Sequence, residues 1–132
     1  MAFSNAILGA TQAMSHQVGG LLDAPHGLVN GVLLPHVIRF NAQAWPRRFV
    51  PLAAACGIST EGVPPGEVAL ILAERIRRLA DEVGVPKGLA ALGVTEDVVP
   101  RLAQTTLKDA CLATNPRETD AHHIEALFRA AL

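Results

Sequence analysis

Residues 13–41 read AMSHQVGGLLDAPHGLVNGVLLPHVIRFN, an almost wholly apolar stretch that spaces His16, His26 and His36 evenly and breaks at Gly19-Gly20 and Pro25. Its apolar residues do not alternate, so the period is helical rather than that of a strand. A first helix is predicted from about Ser4 to Val18. Gly19-Gly20 should stop it, because residues without a β-carbon permit a sharp exit. A short loop then leads to a second helix starting at Pro25 or His26, in whose first turn a missing amide donor costs nothing. That helix should reach about Phe40, with Pro35 kinking it or ending its first segment.

The rest of the chain follows the same period. A third helix is expected from roughly Arg47 to Cys56, closed by Gly57. After Pro64-Pro65-Gly66 comes the clearest amphipathic pattern: Val68, Leu72, Ile76, Leu79 and Val83 recur at steps of three and four, with charged residues between. Residues 84–94 read as a turn plus a short helix. Thr95 should cap a helix reaching about Cys111, with Glu96 and Asp97 opposing the dipole. A terminal helix capped by Thr119 or Asp120 carries Ile124, Leu127 and Phe128. Strand signals are nearly absent, since there is no Tyr and alternation never lasts. The expected fold is an all-α bundle of six or seven helices forming a single domain over residues 1–132.

Composition narrows the function classes. The chain has 132 residues, 50% of them apolar and 17% charged, with a net charge of −1. Dispersed Lys and Arg leave no electrostatic footprint for nucleic acid or an anionic membrane. The longest apolar runs are too short to span a bilayer, and the start lacks the basic and apolar segments of a signal peptide. A cytoplasmic protein is expected, with Cys56 and Cys111 as buried, reduced thiols. Such high apolar content also suggests a face covered by a second copy, as in a dimer or larger homo-oligomer, or by another subunit.

The histidines are the candidate chemistry. Gln12 and His16 lie one helical turn apart and so share a face. His26 opens the next helix, where the positive dipole end disfavours the imidazolium. Neutral imidazole is the form that ligates a metal or accepts a proton. Gln12, His16 and His26 could therefore converge at the mouth of a helical hairpin, with Gly19 and Gly20 beside them as pocket residues. An isolated buried histidine is more often a hydrogen-bonded core residue, and each of these could be one. His36 is expected to satisfy local backbone or an interface. His122 and His123 are adjacent, project about 100° apart and should form a solvated face.

Four segments, residues 2–41, 83–94, 95–111 and 114–132, together resemble the C-terminal helical domain of the iron-containing (group III) alcohol dehydrogenases. The combination His16-x-x-Gly19-Gly20, Pro25-His26-Gly27, Asn30, Leu34-Pro35-His36 and Asn115-Pro116-Arg117 carries the likeness. The resemblance implies an NAD(P)- and metal-dependent oxidoreductase acting on alcohols or aldehydes, with a nucleotide-binding domain preceding the helices. It implies four metal ligands: an Asp and a His on an upstream helix, a His at the position of Gln12, and His26. His16 would lie beside the metal and the nicotinamide without being a ligand.

This sequence departs from that pattern. It has no Gly-rich loop after a strand, so nothing in it cradles a pyrophosphate, and the nucleotide-binding domain is expected to be absent. Gln12 replaces an imidazole with a weaker, neutral amide oxygen. Of the implied ligands only His26 remains, against the three or so that a catalytic site needs. No cofactor is expected on this chain alone, whereas its full-length relatives would use Fe or Zn and NAD(P). Three functions compete. One is a dehydrogenase-family domain needing a nucleotide-binding subunit and not redox-competent alone. Another is a metal- and cofactor-free lyase, isomerase or cyclase acting on a small carbonyl compound through His16 and His26. The third is a non-enzymatic partner-binding or structural module.

Overall fold

The computed structural model describes residues 2–23, 25–109 and 119–132, with side chains from residue 10 onward apart from that of residue 26. Its described elements are helical throughout: α1 (Ala2–Leu22), α2 (His26–Ala42), α3 (Phe49–Ala55), α4 (Pro65–Glu82), α5 (Val99–Leu107) and α6 (Ala121–Ala131). Short 3-10 turns at Pro46–Arg48, Leu89–Leu92 and Glu96–Val98 precede or join them. The all-α expectation holds. None of the described helices is long and apolar enough to cross a membrane.

α1 and α2 form the expected hairpin, but the turn falls elsewhere. The helix runs straight through Gly19-Gly20 to Leu22, and the chain leaves it at Asp23, which takes a left-handed φ of 53°. The Asp23 amide donates to the Gly19 carbonyl at 2.9 Å, closing the last turn. Two helical glycines cost about 1 kcal/mol each relative to alanine. Burial on both sides of them opposes that cost: Val18 is fully enclosed and Leu22 packs against the same core. Asp tolerates the left-handed region better than most residues, so the sharp exit moves there.

Pro35 does not end α2, which continues to Ala42 with the proline ring buried. Proline removes the amide that would have bonded the Gly31 carbonyl. Packing on both flanks of the helix sustains it past that gap. Val29, Val32, Leu33 and Val37 join Met14 and Val18 of α1, Leu102 and Ala103 of α5, and Ile124 and Phe128 of α6 in one apolar cluster. Ile38 and Ala42 join Phe49 and Ala53 of α3 and Val68, Ala69, Leu72 and Ala73 of α4 in another. A helix apolar all round is a buried one, and α2 is the partition between the two clusters.

Three further boundaries differ from the sequence expectation. The third predicted helix divides into a 3-10 turn and α3, because Pro51 sits where a longer α-helix would need its amide. Thr95 occupies the cap of a 3-10 turn with no capping bond from its side chain, and α5 begins later, at Val99. α5 closes at Leu107, short of Cys111, which lies outside the described residues together with Asn115, Pro116 and Arg117. The terminal cap is Asp120, whose Oδ1 accepts the His123 amide at 2.9 Å. That bond holds the Asp120 carboxyl below its usual pKa. The apolar stripe of α4 is only half covered: Val68 and Leu72 are fully buried, but Leu79 and Val83 face solvent.

Candidate active site

α1 presents Gln12 and His16 one turn apart, Gln12 half-buried and His16 exposed. The backbone of His26 opens α2 immediately beyond the hairpin turn, as expected, while its side chain lies outside the described residues. The structure therefore places Gln12 and His16 together and puts the head of α2 next to the end of their helix.

The partner of His16 comes from far along the chain. Its Nδ1 lies 2.9 Å from Oδ2 of Asp109, in the turn that follows α5. The same oxygen accepts the Gln17 side-chain amide at 3.1 Å, and that amide also donates to the Ala13 carbonyl at 3.2 Å. The Asp109 side chain is 14% exposed against 45% for His16. A mostly enclosed carboxylate thus anchors an imidazole that reaches solvent. Sequence reasoning missed both Asp109 and Gln17. One signal was available: Asp109 follows the end of a helix, where the dipole favours a cation over an anion. An acid there needs donors from another element, and α1 provides two.

Gly20 lines a cleft of about 200 Å³ between α1 and α5 with Gln17, Leu21, Arg101 and Thr105. Gly19 is half-buried in the same final turns of α1.

The remaining histidines are arranged differently from the sequence expectation. His122 is exposed, but His123 is half-buried against Phe40, their rings edge to face with centroids 5.3 Å apart. The expected solvated face therefore holds for His122 and fails for His123, because α6 packs that side onto α2. The His123 Nδ1 is 3.3 Å from the Asp120 carboxylate, outside hydrogen-bond geometry. His36 and His123 line a cavity of about 270 Å³ with Arg39, Phe40 and Gln43. Burial, then the positive charges of Arg39 and Arg77, lower the His36 pKa. Cys56, expected to be buried, is exposed: it caps α3 at the point where the chain turns into solvent.

Among the described residues, no three His, Cys, Asp or Glu side chains group so as to hold a metal ion. The arrangement that exists is one oriented imidazole with a neighbouring amide on an apolar scaffold.

Comparison with known proteins identifies the scaffold. The family model for the C-terminal region of the Fe-containing alcohol dehydrogenase family matches residues 1–132. The chain is 44% identical over 131 residues to 1,3-propanediol dehydrogenase of Citrobacter freundii, covering 99% of this chain and 34% of that protein. It is 37% identical to lactaldehyde reductase of Escherichia coli strain K12, with the same two coverages. A crystal structure of 1,3-propanediol oxidoreductase superposes with a TM-score of 0.89 at 41% identity, covering 93% of this chain and 32% of that one. The chain spans about a third of the length of these relatives. Over its whole length, then, it belongs to the iron-containing alcohol dehydrogenase family and corresponds to that family's C-terminal helical domain.

Proposed function

We propose that this chain forms the helical wall of an active site that interconverts small alcohols and aldehydes with NAD(P), next to a nucleotide-binding domain. The observation that supports this reading most is the identity of 44% with a propanediol dehydrogenase along 99% of the chain. The lactaldehyde reductase match points to the same class of small oxygenated substrate. Neither relative favours the cofactor-free acid/base reading or the non-enzymatic module.

The family's iron does not fit the donors of this chain taken alone. Gln12 offers a neutral amide oxygen, and no metal-holding trio of His, Cys, Asp or Glu groups exists among the described residues. His26 is the one position that the resemblance assigns as an unchanged ligand, and it would bind weakly by itself. No cofactor is assigned to the chain alone; Fe or Zn and NAD(P) belong to the complete assembly. Within that assembly His16 serves as the proton-handling group and Gln12 as a hydrogen-bond donor toward the substrate oxygen. Gly19 and Gly20 lie on the substrate side. The assembly is cytoplasmic. Exposed Leu79 and Val83 leave apolar area for a second copy or a nucleotide-binding subunit.

A chimera tests this directly. Residues 1–132 replace the matching region of C. freundii 1,3-propanediol dehydrogenase, and nicotinamide reduction by 1,3-propanediol is followed together with bound metal. Turnover is expected, and Gln12→His should raise both the metal content and the rate. A folded chimera with no turnover, and no gain in either quantity from Gln12→His, would remove the dehydrogenase reading.

A further inference from the structure

We propose that Asp109 is a positioning residue for His16, holding its imidazole as the Nδ1–H tautomer so that Nε2 carries the lone pair. The role of that lone pair, taking a substrate hydroxyl proton, rests on the function proposed above. The tautomer itself does not.

Donors and acceptors decide where the proton sits. An ionised carboxylate can only accept hydrogen bonds, so the proton in the contact of 2.9 Å between Asp109 Oδ2 and His16 Nδ1 belongs to the imidazole. A neutral imidazole has a single N–H. Placing it on Nδ1 leaves Nε2 as the acceptor; the other tautomer would set a lone pair against a negative oxygen.

The carboxylate is itself held in place. Gln17 donates to Asp109 and to the Ala13 carbonyl, which accounts for both hydrogens of its amide. The Asp109 backbone amide donates to the Thr106 carbonyl at 3.0 Å, tying the turn to the end of α5. Thr106 is fully buried, and its hydroxyl donates to the Leu102 carbonyl at 2.7 Å. Leu102 and Ala103 share the apolar cluster with Met14 and Val18 of α1. The carboxylate thus reaches α1 through packing that both helices have in common. An imidazole oriented by a carboxylate is a recurring way to fix which ring nitrogen faces the chemistry.

The test reads the tautomer before any activity. Long-range nitrogen–proton NMR of the chain at alkaline pH should show His16 protonated on Nδ1. Asp109→Leu removes the acceptor while keeping the branching at Cγ, and Asp109→Ala removes it with less bulk. In whichever variant keeps the native fold, the proton should shift toward Nε2. A wild-type His16 protonated mainly on Nε2, or a tautomer unchanged in a folded variant, would overturn the proposal. In the chimera, the same substitutions should lower kcat by about 10²-fold with KM nearly unchanged. Loss of tautomer control with kcat unaffected would refute the proton-handling role. A wild-type chimera without turnover counts against the dehydrogenase reading, whereas the NMR measurement still decides the role of Asp109.

Discussion

The two apolar clusters share α2 but are closed in different ways. Helices α1, α2, α5 and α6 surround the first, and its large members Met14, Leu33, Ile124 and Phe128 are fully buried. The second lies between α2, α3 and α4, and α3 has 7 residues against 18 in α4. A short helix cannot cover a long one. Beyond Ile76 the apolar stripe of α4 runs into solvent, leaving Leu79 57% and Val83 70% exposed. The oriented histidine sits at the rim of the closed cluster, where both helices that hold it are anchored by packing. Positioning an imidazole to within a few tenths of an ångström needs such a rigid support.

If that contrast is right, Phe128→Ala should cost about 3–5 kcal/mol, the range for emptying a large enclosed aromatic site. Denaturant unfolding would measure it. A cost below about 1 kcal/mol would mean that the first cluster is no more closed than the second.

A smaller effect is expected where the clusters meet. His36 lies on α2 and lines the cavity shared with His123 of α6, while the charges of Arg39 and Arg77 bear on it. Its folded pKa is lowered from the ordinary histidine value of 6.5. The unfolded chain therefore binds a proton more readily, and the stability present above pH 6.5 is lost as the pH falls through the folded value. Thermal unfolding at about pH 7.5 and about pH 5, on either side of the ordinary histidine range, should show a steeper acid-side loss for wild type than for His36→Gln. Parallel pH profiles would show that the junction between the clusters is insensitive to this charge.

Leu79→Ser should change stability least, within about 0.5 kcal/mol, because the side chain already faces water. A much larger loss would mean that the overhanging end of α4 is covered in solution, and sedimentation of the same samples would identify self-association.

Much of this is legible in the primary structure. The helical period, the hairpin, the amphipathic face of α4 and a terminal cap at Thr119 or Asp120 all rest on interactions within a few residues. Gly19-Gly20 misleads for a specific reason. Glycine favours a stop locally, but burial of Val18 and Leu22 carries α1 through to Asp23. Gln12 and His16 are legible as a pair because one helical turn relates them. Asp109 is not, because it meets His16 only when α5 docks on α1, and no local pattern encodes a contact at a sequence separation of 93.

What the sequence determined by itself, therefore, was the all-helical fold and the family, since periodicity and residue identity are local properties. Tertiary structure alone decided three further things: which histidine acquires a carboxylate, that His123 turns inward against Phe40, and that the end of α4 stays uncovered. Each depends on how far one helix extends across another. That is set by the packing of whole elements rather than by the preference of any residue within them.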